Sequence, residues 1–245
     1  MMGTMSGLLE VIALHAADAE RAEAGGADRV ELCGTLDEGG LSPEPALVER
    51  VRAATSIQLR VMVRLRAGFG TDGGEATRLK GLMASYADAG ADGMVLGYLN
   101  GLGEVDAQVV GELVADGDWP WTFHRAIDSC LFPDRGWALL RRLPRLDQVL
   151  TAGSPRGLAH GLDDLLQRAT DPWQAGVIMA GGGLHPDHVP WLARAGVRAF
   201  HIGTPARPQG SFKAYVDVDL VGSWRRLIDT EIQHASGASA RTNAD

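Results

Sequence analysis

The chain reads as an α/β protein built as a single TIM-type (β/α)8 barrel. Three observations predict this. Eight short apolar runs suit buried strands, amphipathic stretches lie between them, and no Pro/Ser-rich linker divides the 245 residues into two domains. A doubly wound open sheet is the alternative, because periodicity alone does not show closure.

The elements follow in order. The first run, "LLEVIA" (8–13), precedes the helix-like "AADAERAEAGG". The second, "DRVELC" (28–33), follows a glycine helix stop in "AGGADRV" and leads to "PEPALVERVRAAT". There Ser42 and Pro43 predict an N-cap and a proline in the first turn. The third, "QLRVMVRLR" (58–66), precedes "EATRLKGLMASYADAG", and the fourth is "GMVLGYL" (93–99). The fifth, "WTFHRAID" (121–128), crowds His124, Arg125 and Asp128 among Trp121, Phe123 and Ile127. Its place in the count makes it a strand, with Asp128 opening the next loop. The last three runs are "QVLTAG" (148–153), "GVIMAGG" (176–182) and "AFHIGT" (199–204), with "DHVPWLARAG" as the helix before the eighth. Residues 1–233 are expected to form one domain. "HASGASARTNAD" (234–245), small and polar, is expected to be a disordered tail.

Composition narrows the function. With 45 % hydrophobic and 22 % charged residues the chain is an ordinary globular protein, long enough to fold without metal or disulfide. A net charge of −8 supplies no basic field for nucleic acid or an anionic membrane. Two cysteines are too few for a secreted disulfide scaffold, and no signal peptide or membrane span is visible. A cytoplasmic location is expected.

Chemistry in such a barrel sits at the C-terminal strand ends. The polar groups that the runs carry there are Glu10, Glu31, Cys33, Arg64, Arg66, His124, Arg125, Thr151 and His201, with Asp128 just beyond. Glu10, Glu31, Arg64, His124, Asp128 and His201 form the candidate catalytic set. Arg66, Arg125, Thr151 and the backbone of Gly181, Gly182 and Gly183 in "AGGGLHPDH" are candidates for holding an anion, Arg64 acting with Arg66. Simpler readings stand beside these. The two glutamates and two arginines would also serve as a structural ion-pair layer, and the glycines as a tight strand-to-helix turn. His185 and His188 read as solvated surface. Cys33 and Cys130 are either small buried hydrophobes or, if both face the mouth, a soft thiolate pair for Cu(I).

"GGADRVELCGTLDEGGLSP" (25–43), "TFHRAID" (122–128), "VLTAG" (149–153) and "IMAGGG" (178–183) together resemble the CutC copper-homeostasis family, from about Leu8 to about Gly203. The resemblance implies a single TIM-type barrel, a cytoplasmic homodimer, and a link to copper handling without a defined reaction. It places Glu10, Glu31, Cys33, Arg64, Arg66, His124, Arg125, Asp128 and His201 at the family's polar strand ends. The chain departs from the family where members carry cysteine after the first-strand glutamate: here stand Val11, Ile12 and Ala13. The third-strand motif reads "RLRAGFG", with Leu65 and Ala67 substituted, and "IGTPARPQG" follows His201. Two functions follow: a cytoplasmic copper-homeostasis protein binding Cu(I), or a barrel enzyme acting on a small anionic metabolite, phosphorylated metabolites included.

Overall fold

A computed structural model describes residues 7–242. Eight parallel strands close into a barrel in sequence order. They are β1 (Leu8–Ala13), β2 (Arg29–Leu32), β3 (Gln58–Met62), β4 (Gly93–Leu96), β5 (Trp121–Phe123), β6 (Leu146–Thr151), β7 (Ile178–Ala180) and β8 (Ala199–Ile202). The helices outside are α1 (Ala16–Ala24), α2 (Pro45–Ala54), α3 (Gly73–Asp88), α4 (Ala107–Val114), α5 (Pro133–Leu140), α6 (Leu158–Arg168), α7 (Pro172–Val177), α8 (Val189–Arg194) and α9 (Val218–Thr242). β8 pairs back on β1, so the closed barrel replaces the open-sheet alternative and leaves no sheet edge. Among these helices none is long and apolar enough to cross a membrane.

The main core lies between barrel and helices, where Leu9, Val11, Val30, Leu59, Phe123 and Phe200 are fully buried. By alternation the opposite side of each strand faces the barrel axis. That interior holds two small apolar clusters, Cys33–Met62–Val95 and Leu150–Met179–Ala199. It also holds charges: Arg29 and Arg60 are almost completely buried. Arg29 binds Glu10, and Arg60 binds Asp147. Gly93 makes room for Arg60, since a Cβ there would lie 2.7 Å from its Nη1 and 2.3 Å from the Pro120 carbonyl oxygen.

Four local expectations are corrected. "WTFHRAID" is a strand only to Phe123; His124 then caps a 3-10 turn over Arg125–Ser129, its Nδ1 accepting from the Ala126 N–H. A histidine acceptor two residues before a free amide favours this turn over further sheet. α2 starts at Pro45 with Glu44 as its cap, not at Ser42 and Pro43. The Ser42 hydroxyl instead accepts from the Arg64 N–H and ties the β2–α2 loop to β3. β3 ends at Met62, so Arg64 and Arg66 lie beyond it. Lastly, α9 runs on through 234–242, where a disordered tail was expected. Val221, Trp224, Ile228, Ile232 and Ala235 continue a buried helical stripe, and alanine-rich sequence supports the extension. Residues 243–245 lie outside the described part.

Candidate functional site

The strand register builds the site from its floor upward. Glu10 on β1 lies beside Arg29 on β2 and His201 on β8. Arg29 Nε donates to Glu10 Oε2 at 2.5 Å, and His201 Nδ1 lies 2.7 Å from Oε1. Both carboxylate oxygens are therefore committed. Burial works to raise the Glu10 pKa, but Arg29 and the His201 hydrogen bond outweigh it and hold the group at about 2. For His201 burial disfavours the imidazolium; the Glu10 hydrogen bond and the charge of Glu31 prevail, and its pKa is raised.

Glu31 stands one layer higher. Its Oε2 is 3.6 Å from His201 Nε2, and its buried Oε1 has no hydrogen-bond partner. Burial pushes its pKa up to about 7, against the pull of His201. Two glutamates in successive layers are thus driven in opposite directions. One is a fixed anion and the other is poised to exchange a proton near neutral pH.

The facing wall is His124, Phe69 and Arg64. The Phe69 ring lies 5.4 Å from the His124 ring, and the Arg64 guanidinium sits 4.9 Å from the Phe69 centroid. Burial, reinforced by Arg64, pushes the His124 pKa down to about 3, so its ring is neutral. Because Nδ1 accepts from Ala126, the ring proton is on Nε2, which is buried and without a partner. Gly97 is required here: a Cβ would come within 2.5 Å of His124 Nδ1. Arg64 has no carboxylate partner among the described residues. Its Nε donates to the Gly68 carbonyl at 2.9 Å and its Nη1 to that of Glu38 at 2.6 Å.

The third wall is assembled by Asp128. It accepts from Arg125 Nε at 2.8 Å, from Thr151 Oγ1 at 2.6 Å and from the Ala152 amide, joining the turn after β5 to the end of β6. Arg125 lies against Gly182, whose positive φ and missing Cβ allow the approach. The N–H groups of Gly182, Gly183 and Leu184 after β7, and of Gly203 and Thr204 after β8, meet no acceptor among the described residues.

These walls enclose a cavity of about 380 Å³ at the C-terminal mouth, lined by Glu31, Cys33, Arg64, His124, Arg125, Asp128, Gly182, Gly183 and His201. Nine of the expected residues are brought together there. Glu10 lies beneath the cavity. Thr151 and Gly181 lie behind its wall, the glycine leaving space for Leu150 and His201. Arg66 is misplaced by the expectation: it is 52 % exposed and ion-paired with Asp72 and Glu75 at the start of α3. The charges that balance Glu10 are instead Arg29 and Arg60, which the sequence reading passed over. Alternation was the available signal, since Arg29 shares a strand side with Glu31 and Arg60 shares one with Met62.

Glu10, Glu31 and His201 each bring a ligand atom within 4.8 Å of the others, a group that could hold a metal ion. Its donors are carboxylate and imidazole, and Arg29 already occupies Glu10. That set does not suit Cu(I), which favours thiolate and thioether sulfur. The expected thiol pair does not form around the cavity either. Cys33 lines it, whereas Cys130 packs in the outer core beside Gly136 of α5. With one sulfur in the barrel interior and the other in the outer core, the two do not face a common point.

Comparison with known proteins agrees with this architecture. The CutC family profile matches residues 8–205. A CutC family protein of Klebsiella pneumoniae is 34 % identical over 196 residues, covering 79 % of this chain and 78 % of the relative. Its counterpart from Xanthomonas axonopodis pv. citri is 35 % identical over 233 residues, covering 92 % and 95 %. The crystal structure of CutC from Streptococcus agalactiae, described as a candidate copper homeostasis protein, superposes with a TM-score of 0.72 at 24 % identity, covering 80 % of this chain and 98 % of that one. A thiamine phosphate pyrophosphorylase from Pyrococcus furiosus shares the fold with a TM-score of 0.57 at 13 % identity, covering 94 % and 98 %. A closed eight-strand barrel with polar groups at the ends of β2, β3, β5 and β8, matched over most of its length, places this chain in the CutC family.

Proposed function

We propose that this CutC-family barrel is an enzyme that moves a proton on a small anionic metabolite. One observation carries the reading: Glu31 is a buried carboxylate with a free oxygen at the floor of a metabolite-sized cavity, with a pKa near 7. Its role is general base or acid, and His201, fixed by Glu10, orients and charge-balances it. The free amides after β7 and β8, with Arg125, suit a phosphate or carboxylate, and Arg64 supplies a second cation. Asp128 and Thr151 set Arg125 in place. The test is calorimetric titration with inorganic phosphate and a panel of phosphorylated and carboxylated metabolites. Binding weakened at least tenfold by Arg125→Ala is the expected result. No binding to any of them, or binding indifferent to both Arg125→Ala and Arg64→Ala, overturns the reading.

Copper handling is the second reading, favoured by a sulfur pair at the cavity edge. A Cβ on Gly40 would touch both Cys33 Sγ and the Met62 methyl, at 3.2 and 3.3 Å. Burial, with Glu31 beside it, raises the Cys33 pKa well above the ordinary value, which opposes the thiolate. Anaerobic Cu(I) titration checks it: an affinity unchanged by Cys33→Ser removes it, and Cys130→Ser is expected to have no effect. We place the protein in the cytoplasm, where its two free thiols stay reduced. A homodimer is part of the same proposal, and the exposed Leu102, Leu131 and Phe132 offer an apolar patch for it.

A further inference from the structure

The wall opposite Glu31 says what kind of molecule the cavity takes. We infer that the His124 Nε2–H donates a hydrogen bond to a substrate carbonyl, so that the cavity takes a small anionic hydroxy-carbonyl compound and shifts a proton on the carbon beside that carbonyl. This inference rests on the enzyme reading above and specifies its substrate class.

Three features of the cavity converge on it. The ring proton of His124 is fixed on Nε2 by the Ala126 amide at Nδ1, and that N–H is buried without an acceptor. A buried donor left unmatched is a cost to the folded chain, so a bound oxygen there returns what the fold forgoes. The donor lines the same cavity as Glu31, whose own buried oxygen lacks a donor. One group wants an acceptor and the other a proton, which matches a carbonyl with an acidic neighbour. Finally, Arg64 is the charged group facing His124 across Phe69, and its field opposes an imidazolium. A neutral imidazole donor is suited to an oxyanion that forms and disappears, since it need not surrender its own proton.

The chemistry balances without a co-reactant. The Glu31 carboxylate removes the proton from the carbon next to the carbonyl. The C–H electron pair becomes the carbon–carbon double bond of an enediolate, and the carbonyl π pair moves onto oxygen beside His124. Return of the proton to the same carbon restores the substrate with its hydrogen exchanged. Delivery to the neighbouring carbon, with the hydroxyl proton passing to the former carbonyl oxygen, gives the isomeric hydroxy-carbonyl.

The experiment follows deuterium incorporation by proton NMR in D2O, using dihydroxyacetone phosphate and ketose phosphates of four to six carbons as probes. Glycerol 3-phosphate, which lacks the carbonyl, is the binding control. Wild type is expected to incorporate deuterium next to the carbonyl of at least one probe. His124→Phe is expected to lower that rate about 10²–10³-fold, the usual cost of one oxyanion donor, while glycerol 3-phosphate still binds. His124→Gln, which keeps an N–H donor, is expected to recover part of the rate. Nitrogen NMR of His124 supplies a readout independent of turnover: Nε2 protonated and Nδ1 not, unchanged between pH 5 and 9. Probes that bind but exchange no hydrogen overturn the inference and leave the anionic-metabolite reading intact. So does a His124 that titrates near 6.5, or exchange unaffected by His124→Phe. Failure of every probe and of glycerol 3-phosphate to bind overturns both.

Discussion

At the residue scale the informative contrast is between Glu10 and Glu31, chemically identical and oppositely shifted. Glu10 has Arg29 and His201 on its two oxygens; Glu31 has a long contact on one oxygen and none on the other. A carboxyl whose pKa is raised by folding binds its proton more tightly in the native state than in the unfolded chain. Its contribution to stability is whole below the unfolded value near 4.5 and is lost as pH rises through about 7. The shift corresponds to on the order of 3 kcal/mol. His201, also raised, loses its contribution in the same direction as pH rises past its folded value. Replacing Glu31 by glutamine removes the buried charge and keeps the shape. Glu31→Gln is therefore expected to be about 1–3 kcal/mol more stable than wild type at pH 8 and no more stable at pH 5. Urea denaturation at the two pH values checks this, and equal offsets at both would show that Glu31 is ionised and satisfied throughout. The substitution is expected to abolish proton exchange, so stability and activity move apart at one residue.

At the element scale, the loop after β8 has a defined anchor. Arg207, within "IGTPARPQG", reaches α1 and donates both Nη atoms to Asp18, at 3.1 and 3.0 Å, with both side chains buried. Asp18 also accepts from the Leu14 and Val216 amides, so β1, α1 and the segment before α9 meet at one carboxylate. Removing one partner of such a pair strands the other. Arg207→Met is expected to cost about 3–5 kcal/mol, and Asp18→Leu with Arg207→Met to recover part of it, read by chemical denaturation. A single variant within 1 kcal/mol of wild type would mean that the pair leaves the loop no firmer. The same contacts show why element order was legible in sequence and element ends were not. Eight apolar runs with helices between them count a barrel, because strand interiors must be apolar on at least one face. Where a strand stops depends on a single cap such as His124 on Ala126, or on Ser42 reaching Arg64, and neither leaves a periodic trace. The extension of α9 through 234–242 is not legible in composition, because its residues are small and polar and its buried contribution is Ala235, which continues the stripe of Val221, Trp224, Ile228 and Ile232.

At the scale of the whole molecule the barrel interior divides into a closed lower layer and an open upper one. Below, Glu10–Arg29 and Arg60–Asp147 leave charges paired; above, Glu31 Oε1 and His124 Nε2 lack partners, Arg64 holds only backbone carbonyls, and all three residues face a cavity. The sequence showed the candidate residues of the upper layer almost completely. It assigned their compensation to Arg64 and Arg66, because it took every polar strand residue as part of one layer. The division predicts how substitutions and ligands act on stability. Arg29→Met leaves one buried oxygen of Glu10 unpaired, with only His201 on the other, and is expected to cost about 3–5 kcal/mol. The upper-layer substitution His124→Phe loses no contact at Nε2 but removes the Nδ1 cap of the Ala126 amide, and is expected to cost less, about 1–2 kcal/mol. Conversely, only the upper layer has stability to gain from a ligand. A bound anionic metabolite at a hundred times its Kd adds about 2.7 kcal/mol, which for a chain of this length corresponds to a rise in Tm of roughly 5–10 °C. A thermal-shift series should give that rise in wild type and in Arg207→Met, whose Tm starts lower, and lose it in Arg125→Ala and Arg64→Ala. If Arg207→Met lost the ligand response while Arg125→Ala kept it, the site would lie at the β8 loop and not at the mouth that the unpaired groups define.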